Sequence, residues 1–584
     1  MTPEDATQEG TAAPTSAGTA SAELARLADE AWDGALAANP IGATSIGDRR
    51  FDDRLEDISP GAVAAERRRL ADLLERIRSV PDDALDGRDA VTREALLAFV
   101  RMDLDVREAD LGRWAVDPLE GPQVLFLNVA SFQPLETPDD GDRLLARWAA
   151  MDGFIEQRAS DVREAAADGF VSAEAPLRKV IDELDDLLGD SAGSAALLGP
   201  TSAPRPAWSP AERTRFDAAL ATVVEERILP AFTRYRRALV DEILPRARRN
   251  DRPGLSHVPG GVRAYERLIR AHTSLERSPE EIHRIGLAEI ERIDGELETR
   301  AGRVLDTRSR AEAVERLRGD PSLQFTMREE VLAAAQAALD RAQAAIPDWF
   351  GILPSARCEV VEMEAHESKH STIAYYLQPA EDGSRPGRYY LNTSAPTTRP
   401  RYEAEALAFH ESVPGHHLQL AIAQELRGLP AFRRHAGTTA YFEGWGLYTE
   451  RLSDEMGLYS GDLDRIGIAS FDGWRASRLV VDTGIHALGW SRDRAIAFML
   501  DHTALAPDNI ANEVDRYITW PGQALAYKLG QLEILRLRAG ARERLGGRFD
   551  IRAFHDAVLS QGALPLTTLA TVVETTLTEG VPGA

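Results

Sequence analysis

The stretch FHESVPGHHLQ, residues 409–419, places three histidines and one glutamate within eight residues. A metal ion that activates water needs imidazole ligands, an open coordination position and a carboxylate nearby. The usual helical form of such a site is His-Glu-x-x-His, in which the i, i+4 spacing puts both imidazoles on one helix face. Here Ser-Val-Pro-Gly separates His-Glu from His-His. The stretch therefore predicts a metal site on a helix that the extra residues interrupt.

The Pro-Gly pair explains how the helix is interrupted. In a straight helix His410 and His417 would lie roughly 10 Å apart along the axis, whereas a ligand nitrogen lies about 2 Å from zinc. Pro414 cannot donate a hydrogen bond to the carbonyl of His410, and Gly415 permits unusual backbone angles. We therefore expect a bulge that draws the second histidine back towards the first. His416 is the expected second ligand, and His417 is the alternative.

A second stretch, YFEGWGLYTE at residues 441–450, offers the carboxylate that would complete the site. Catalytic zinc takes three protein ligands. Glu443 follows His416 by 27 residues, which is enough for one helix, a turn and a return. We predict that His410, His416 and Glu443 hold one Zn²⁺ per chain. Glu450 lies on the same helical face as Glu443 and is either a further ligand or a group that orients one by a hydrogen bond. The alternative is that both glutamates are solvated surface acids.

Catalytic and substrate-binding groups are expected near these ligands. Glu411 adjoins the first ligand and is the predicted general base for a metal-activated water. Hydrolysis of an amide develops an oxyanion that a phenol can stabilise, and Tyr517 and Tyr527 are the candidates in RYITWPGQALAYK, residues 516–528. Cationic side chains could bind a substrate carboxylate, arginine in bidentate fashion. The candidates for substrate binding are Arg516, Lys528, Arg478 and His486. Each of these residues, taken singly, has a structural role as its alternative.

Composition limits the class of protein. The chain has 584 residues, of which 43% are hydrophobic and 28% charged, as in a soluble globular protein. Its net charge of −26 argues against a nucleic-acid partner or an anionic membrane surface. The single cysteine, Cys358, excludes an intramolecular disulfide and a cysteine-rich zinc site, and we expect it to be a buried structural thiol. The first residues contain no basic segment followed by an apolar core, and no apolar run reaches about 18 residues. We therefore expect a cytoplasmic protein with no membrane partner.

The fold is expected to be mainly α. Apolar residues recur with a helical period over 22–38, 62–80, 90–108 and 142–167. Ser278-Pro279-Glu280-Glu281 has the form of a capping box and opens a helix that runs to about Val304. Three strand-like runs, 356–363, 372–377 and 388–392, precede the metal motif. His366 and His370 are spaced i, i+4 at the end of the first strand, where a loop and not a second metal site is expected.

These elements divide the chain into three parts. Residues 1–20 are rich in Thr, Ala, Gly and Ser and are expected to be a disordered tail. Residues 21–346 form a helical N-terminal lobe. Residues 347–584 form a catalytic lobe that contains the small sheet and the metal-site helices. The two lobes are expected to be continuous with each other.

Several stretches resemble the bacterial family called domain of unknown function 885. The strongest are HESVPGHHLQ at 410–419, YFEGWGLYTE at 441–450 and PGQALAYKLG at 521–530, and residues 39–59 and 259–275 also match the pattern. The resemblance thus covers nearly the whole chain. The family is similar in layout to helical zinc peptidases such as angiotensin-converting enzyme, thimet oligopeptidase and Taq carboxypeptidase. In those enzymes two helical lobes flank a deep cleft, and a His-Glu-x-x-His helix is followed by a glutamate ligand.

The resemblance implies the same roles for the matching residues of this chain. His410, His416 and Glu443 correspond to the ligands and Glu411 to the base, and Arg516-Tyr517 looks like the Arg-Tyr pair whose tyrosine supports the transition state. The insertion of two residues in the metal motif is the departure from the pattern.

The sequence thus predicts a mainly α, two-lobed, helical metallopeptidase-like fold with a small β-sheet beside the active-site cleft. The expected activity is zinc-dependent hydrolysis of short peptides, by an oligopeptidase, dipeptidase or carboxypeptidase. A metal-dependent hydrolase of a non-peptide amide or ester is one alternative. A non-catalytic helical peptide-binding protein that holds no metal is the other. The sequence leaves the cleaved bond and the oligomeric state open.

Overall fold

The structure is a computed structural model, and it describes residues 16–189, 195–363, 373–381, 383 and 385–579. Helices make up most of these residues, and one small sheet of three strands lies in the C-terminal half. The expectation of a mainly α fold with a small sheet is confirmed. No helix within the described residues is long and apolar enough to cross a membrane.

The helices follow one another along the whole chain. Those before the sheet are α1 Ser16–Ala38, α2 Pro40–Ser45, α3 Pro60–Arg78, α4 Gly87–Ala109, α5 Leu111–Trp114, α6 Pro122–Phe132, α7 Pro138–Ala167, α8 Glu174–Gly189, α9 Pro210–Val223, α10 Leu229–Ala238, α11 Gly261–Thr273, α12 Pro279–Leu305, α13 Arg310–Gly319 and α14 Arg328–Ala345. Those after the sheet are α15 Ala404–Glu411, α16 His416–Glu425, α17 Ala431–His435, α18 Thr439–Glu455, α19 Asp462–His486, α20 Arg492–His502, α21 Pro507–Thr519, α22 Leu525–Leu545, α23 Ile551–Leu559 and α24 Leu566–Glu579.

Sequence signals set the starts of several helices. The Ser278 hydroxyl accepts a hydrogen bond from the backbone N–H of Glu281 at 3.2 Å, and Pro279 takes the first position of α12, as predicted. The four helices predicted from apolar periodicity occur as α1, α3, α4 and α7. Helix α1 begins at Ser16, so the last residues of the predicted tail are helical, and residues 1–15 lie outside the described part of the chain.

The sheet consists of β1 Cys358–Glu362, β2 Ala374–Leu377 and β3 Gly387–Leu391, with β3 in the centre. Strand β1 runs parallel to β3, and β2 runs antiparallel to it. The three predicted strands are therefore confirmed: β1 and β2 are shorter than predicted, and β3 is shifted by one residue. Cys358 is buried on β1, where burial raises the pKa of its thiol to about 12, which fits a structural residue. His366 and His370 lie outside the described residues.

The hydrophobic cores connect distant parts of the sequence. The largest cluster of buried apolar side chains includes Leu27 and Leu96 from the N-terminal helices and Trp445 and Leu537 from the C-terminal helices. A separate cluster is formed within residues 116–243. The division at residues 346 and 347 does not coincide with a boundary of the largest core, and the two lobes stay a prediction.

Two glycines bring the central helices α18 and α22 into close contact. A Cβ atom on Gly444 would lie 2.5 Å from backbone atoms of Gly530. A Cβ atom on Gly530 would lie 1.9 Å from the carbonyl oxygen of Ala440. Only glycine allows this approach, which places Glu443 on α18 next to the start of α22.

Candidate metal centre

The break between α15 and α16 positions the two histidines. Helix α15 ends at Glu411, and α16 begins at His416. A Cβ atom on Gly415 would lie 1.9 Å from the carbonyl oxygen of His410, so only glycine lets the chain fold back onto the end of α15. The indole N–H of Trp445 donates to the Pro414 carbonyl at 3.0 Å and holds the turn against α18. The predicted interruption of the helix is confirmed.

The three predicted ligands lie together at this break. One side-chain nitrogen or oxygen from each of His410, His416 and Glu443 lies within 4.8 Å of the other two. The Oε2 atom of Glu443 is 3.4 Å from Nε2 of His410 and 3.7 Å from Nε2 of His416. Two imidazole nitrogens and one carboxylate oxygen are a ligand set of catalytic zinc sites. The geometry fits a metal ion, and the role of these residues as ligands stays a prediction.

Two residues on α18 fix the orientation of the His410 ring. The Nδ1 atom of His410 is 2.8 Å from Oε1 of Glu450, whose side chain is buried. With Nδ1–H donating to Glu450, the ring turns Nε2 towards Glu443, and Nε2 would offer its lone pair once a metal ion replaces its proton. A Cβ atom on Gly446 would lie 2.6–2.9 Å from three atoms of the His410 ring, so the glycine leaves the space that the ring fills. Glu450 thus occupies the orienting position that the sequence suggested for it.

The neighbouring histidines differ in what their ring nitrogens contact. The Nδ1 atom of His416 is buried and has no hydrogen-bond partner among the described residues. His417 instead faces the sheet, where Tyr376 Oη lies 2.8 Å from its Nδ1. Its Nε2 lies 3.1 Å from the carbonyl oxygen of Ala356. Because both ring nitrogens are occupied, His417 is not available as the alternative ligand.

The charges in the cluster favour a cation. Burial opposes a proton on His410, but hydrogen bonds to Glu443 and Glu450 raise its pKa to about 9. Burial also opposes a charge on Glu443, but the hydrogen bond to His410 and the interaction with His416 lower its pKa to about 2. Burial lowers the pKa of His416 to about 4, so that this ring is neutral at pH 7. A metal ion would replace the proton between His410 and Glu443.

Two of the predicted catalytic residues keep free oxygen atoms near the cluster. Glu411 has no hydrogen-bond partner within the described residues, and burial raises its pKa to about 7, a value suited to a general base. The Tyr527 hydroxyl likewise has no hydrogen bond in the described part of the chain. Burial and the charge of Glu443 raise the pKa of Tyr527, so it stays a protonated donor.

Tyr517 is less available than Tyr527. It is fully buried, and its hydroxyl donates to Glu513 at 2.6 Å. The same oxygen accepts from Nε of Arg478 at 3.1 Å. Tyr517 therefore belongs to the framework behind the site, and Tyr527 is the better candidate for contact with a substrate.

Lys528 is not available for a substrate. Its ammonium is buried and donates to Asp472 at 2.6 Å and to Gln531 at 2.7 Å. Glu289 lies 3.0 Å away as a third partner. The assignment of Lys528 to substrate binding is thus corrected, because all three donors have partners within the protein.

His486 and Arg516 are also held by protein groups. The backbone N–H of Leu255 donates to Nδ1 of His486 at 3.2 Å, and Nε2 of His486 lies 2.8 Å from the carbonyl oxygen of Tyr517. His486 is fully buried and joins helices, so its assignment to substrate binding is corrected too. Arg516 pairs with Glu513 at 2.9 Å and donates to Gln523 at 2.7 Å, and within the described residues no hydrogen bond or ion pair joins it to the three candidate ligands.

Comparison with known proteins places the chain in a family. A family profile described as "Bacterial protein of unknown function (DUF885)" matches residues 40–573. The chain belongs to this family. No curated protein matches the chain.

Two solved structures resemble this DUF885 protein. A "putative lipoprotein" from Colwellia psychrerythraea is 27% identical, with a TM-score of 0.88 over 96% of this chain and 99% of its own. A "putative lipoprotein of unknown function" from Shewanella oneidensis is 17% identical, with a TM-score of 0.71 over 94% of this chain and 99% of its own. The second likeness shows the fold alone. Each alignment spans nearly all of this chain and of the solved structure.

Two residues of this DUF885 protein near the site were missed by sequence reasoning. Glu513 accepts hydrogen bonds from Tyr517, Arg478 and Arg516 and ties them together. Its spacing of three and four residues before Arg516-Tyr517 on one helix could have indicated this role. Arg475 on α19 is buried one turn before Arg478, and no motif points to it.

Proposed function

We propose that this DUF885 protein is a zinc-dependent hydrolase of short peptides with Glu411 as its general base. The observation that carries the proposal is the convergence of His410, His416 and Glu443 within 4.8 Å next to Glu411. The hydrogen bond that Nδ1–H of His410 donates to Glu450 supports it, because such carboxylates orient metal-binding imidazoles. When bound, zinc acidifies a water molecule and polarises a carbonyl group.

The residues of the chain supply the remaining steps. Glu411, with a pKa of about 7, takes the proton of the attacking water and passes it to the leaving amine. Tyr527 donates a hydrogen bond to the oxygen that becomes negative as the tetrahedral intermediate forms. Peptides are the proposed substrates because the pattern of His410, Glu411, His416 and Glu443 is similar in layout to the metal motif of helical zinc peptidases. A peptide-binding protein without catalytic activity would not need the carboxylate of Glu411 beside the three ligands, so this residue favours the hydrolase over the binding protein.

The test compares peptide hydrolysis by the zinc-loaded wild type and Glu411→Gln. We expect the wild type to cleave members of a library of short peptides. Glu411→Gln is expected to reduce kcat about 10²- to 10⁴-fold, the usual contribution of a general base, while zinc stays bound. Glu533→Gln is the control, because Glu533 only pairs with exposed Arg536. Either an inactive zinc-loaded wild type or full activity of Glu411→Gln would overturn the proposal.

A further inference from the structure

Arg475 is a buried cation for which no described residue provides a hydrogen-bond acceptor. Its side chain is 5% exposed, and its Nε and Nη1 atoms are buried donors that no described residue accepts from. A guanidinium keeps its proton at any physiological pH. Leaving such a charge unpaired inside a protein is costly. The charges of Glu450 and Glu443 act on Arg475 only through space, so its two free donors call for an acceptor that the described residues do not provide.

Arg478 adds a second free donor on the same face of α19. It lies three residues after Arg475, which is one helical turn. Its Nη1 atom is buried without an acceptor, while its Nε and Nη2 atoms are held by Tyr517 and Glu513. Both guanidinium groups stack on Trp474, at 4.2 Å for Arg475 and 4.5 Å for Arg478 from the ring centroid. The free donors are thus held in place before any ligand binds.

These donors lie beside the candidate metal centre. The Arg478 guanidinium is 4.3 Å from the ring centroid of Tyr527. Burial is the main influence on the pKa of Glu411, and the charge of Arg475 acts against it. The charge of Arg478 likewise helps to lower the pKa of Glu443. Neither arginine forms a hydrogen bond or an ion pair with these two glutamates in the described structure. The attraction between them is therefore through space, and the N–H groups stay free.

We propose that Arg475, together with Nη1 of Arg478, binds a carboxylate of the substrate next to the metal centre. The planar array of guanidinium donors matches the two oxygens of a carboxylate. This proposal rests on the proposed function for the identification of the ligand as a peptide. The carboxylate is either the C-terminus of the peptide or the side chain of an Asp or Glu residue. Arg475 thereby takes the role that the sequence suggested for Lys528 and Arg516.

The test measures peptide binding to the metal-free full-length protein by titration calorimetry and tryptophan fluorescence. The probes are Ala-Ala-Phe, its C-terminal amide, and acetyl-Ala-Glu-Ala-amide. We expect at least one carboxylate probe to bind about 10- to 100-fold more tightly than the C-terminal amide, which has no carboxylate, as for a hydrogen-bonded ion pair. Preference for Ala-Ala-Phe identifies a C-terminal carboxylate, and preference for acetyl-Ala-Glu-Ala-amide identifies a side chain. Either result supports the proposal.

Variants assign the preference to Arg475. Arg475→Gln is expected to lose most of the difference between the acid and amide probes, because only Nη1 of Arg478 remains, and Arg475→Lys is expected to keep a larger part of it. Arg536→Gln is the control, because Arg536 is exposed on α22 and pairs only with Glu533. Circular dichroism and thermal unfolding check that the variants are folded.

Three results would overturn the proposal: equal binding of all probes by the wild type, no measurable binding of any probe, or a preference that is undiminished in Arg475→Gln. Because binding is measured without metal, a failure of zinc binding or hydrolysis would overturn the proposed function and not this assignment.

Discussion

Glu411 lies in surroundings that oppose its charge. Burial raises the pKa of its carboxyl group to about 7 from an ordinary value of 4.5, and no described residue donates a hydrogen bond to it. A residue selected only for folding stability at position 411 would have an uncharged side chain. The cost of its charge is explained if Glu411 has to accept a proton during catalysis.

This cost predicts how the stability of the metal-free protein depends on pH. The folded state holds the Glu411 proton more firmly than the unfolded chain, so raising the pH from about 4.5 to about 7 weakens folding. Glu411→Gln removes the effect. We expect the variant to be more stable than the wild type by about 1–3 kcal/mol at pH 8, and the gain to shrink as the pH falls to 5. Thermal unfolding of both proteins at the two pH values measures it, and an unchanged difference would contradict the account.

The roles of some single residues could be predicted from the sequence, and the roles of others could not. His416 could be preferred over His417 because the reason, the Pro414-Gly415 break, lies next to both. Lys528 and His486 could not be assigned correctly, because their partners are distant in sequence. Asp472 is 56 residues from Lys528, and Leu255 is 231 residues from His486. Whether a polar side chain is free to bind a substrate is known only when the fold shows its hydrogen-bond partners.

At the scale of elements, α18 leaves space for the imidazole ring of His410 on α15. Gly446 leaves room for His410, and Trp445 anchors the turn that follows α15. The same helix carries Glu443 and Glu450, which contact the two nitrogens of His410. The strands and the helix break were predictable because their signals are local. The facing of α18 against α15 was inferred from the need for a third ligand and from the 27 residues between His416 and Glu443, and the family resemblance implies the same ligands.

A methyl group at Gly446 tests this packing. Its Cβ would lie 2.6–2.9 Å from atoms of the His410 ring, so Gly446→Ala is expected to displace the imidazole. We expect zinc affinity to fall about 10- to 100-fold, as when an orienting contact is lost. Competition with a chromophoric chelator measures the affinity. Gly540→Ala is the matched control, because a Cβ there has open space within helix α22. A normal affinity in Gly446→Ala would show that the ring position does not matter.

At the scale of the whole molecule, a buried ion cluster joins four helices behind the site. Asp472 on α19 contacts Lys528 on α22, Arg451 on α18 and Arg292 on α12. Glu289, also on α12, lies 3.0 Å from Lys528. This cluster holds the helices that carry Glu443, Arg475 and Tyr527 in one arrangement.

Removing the buried ammonium group of Lys528 is expected to lower the folding stability and to leave the zinc affinity unchanged. Lys528→Met leaves Asp472 buried with fewer partners, which should cost about 3–5 kcal/mol of folding stability. Arg536→Met, on the exposed side of the same helix, should cost less than about 1 kcal/mol. Denaturant unfolding compares the two variants. Zinc affinity of the folded Lys528→Met protein is expected to stay normal, and a specific loss of zinc affinity would instead place Lys528 in the site.

The fold class of the molecule could be predicted from the sequence, but the packing of its helices could not. Apolar periodicity indicated helices, and three runs rich in β-branched and aromatic residues indicated the sheet. The largest core, however, packs Leu27 and Leu96 together with Trp445, and no local pattern shows such contacts. The family match over residues 40–573 and the TM-score of 0.88 to the Colwellia psychrerythraea structure show that this arrangement is shared.

The zinc content of the purified protein tests the central claim most directly. Elemental analysis after zinc loading and removal of free metal should give about one zinc per chain for the wild type. Glu443→Ala should lose it, and Glu455→Ala should keep it, because Glu455 lies on the same helix but pairs with Arg538. A wild type without zinc, or a Glu443→Ala variant that retains it, would contradict the account.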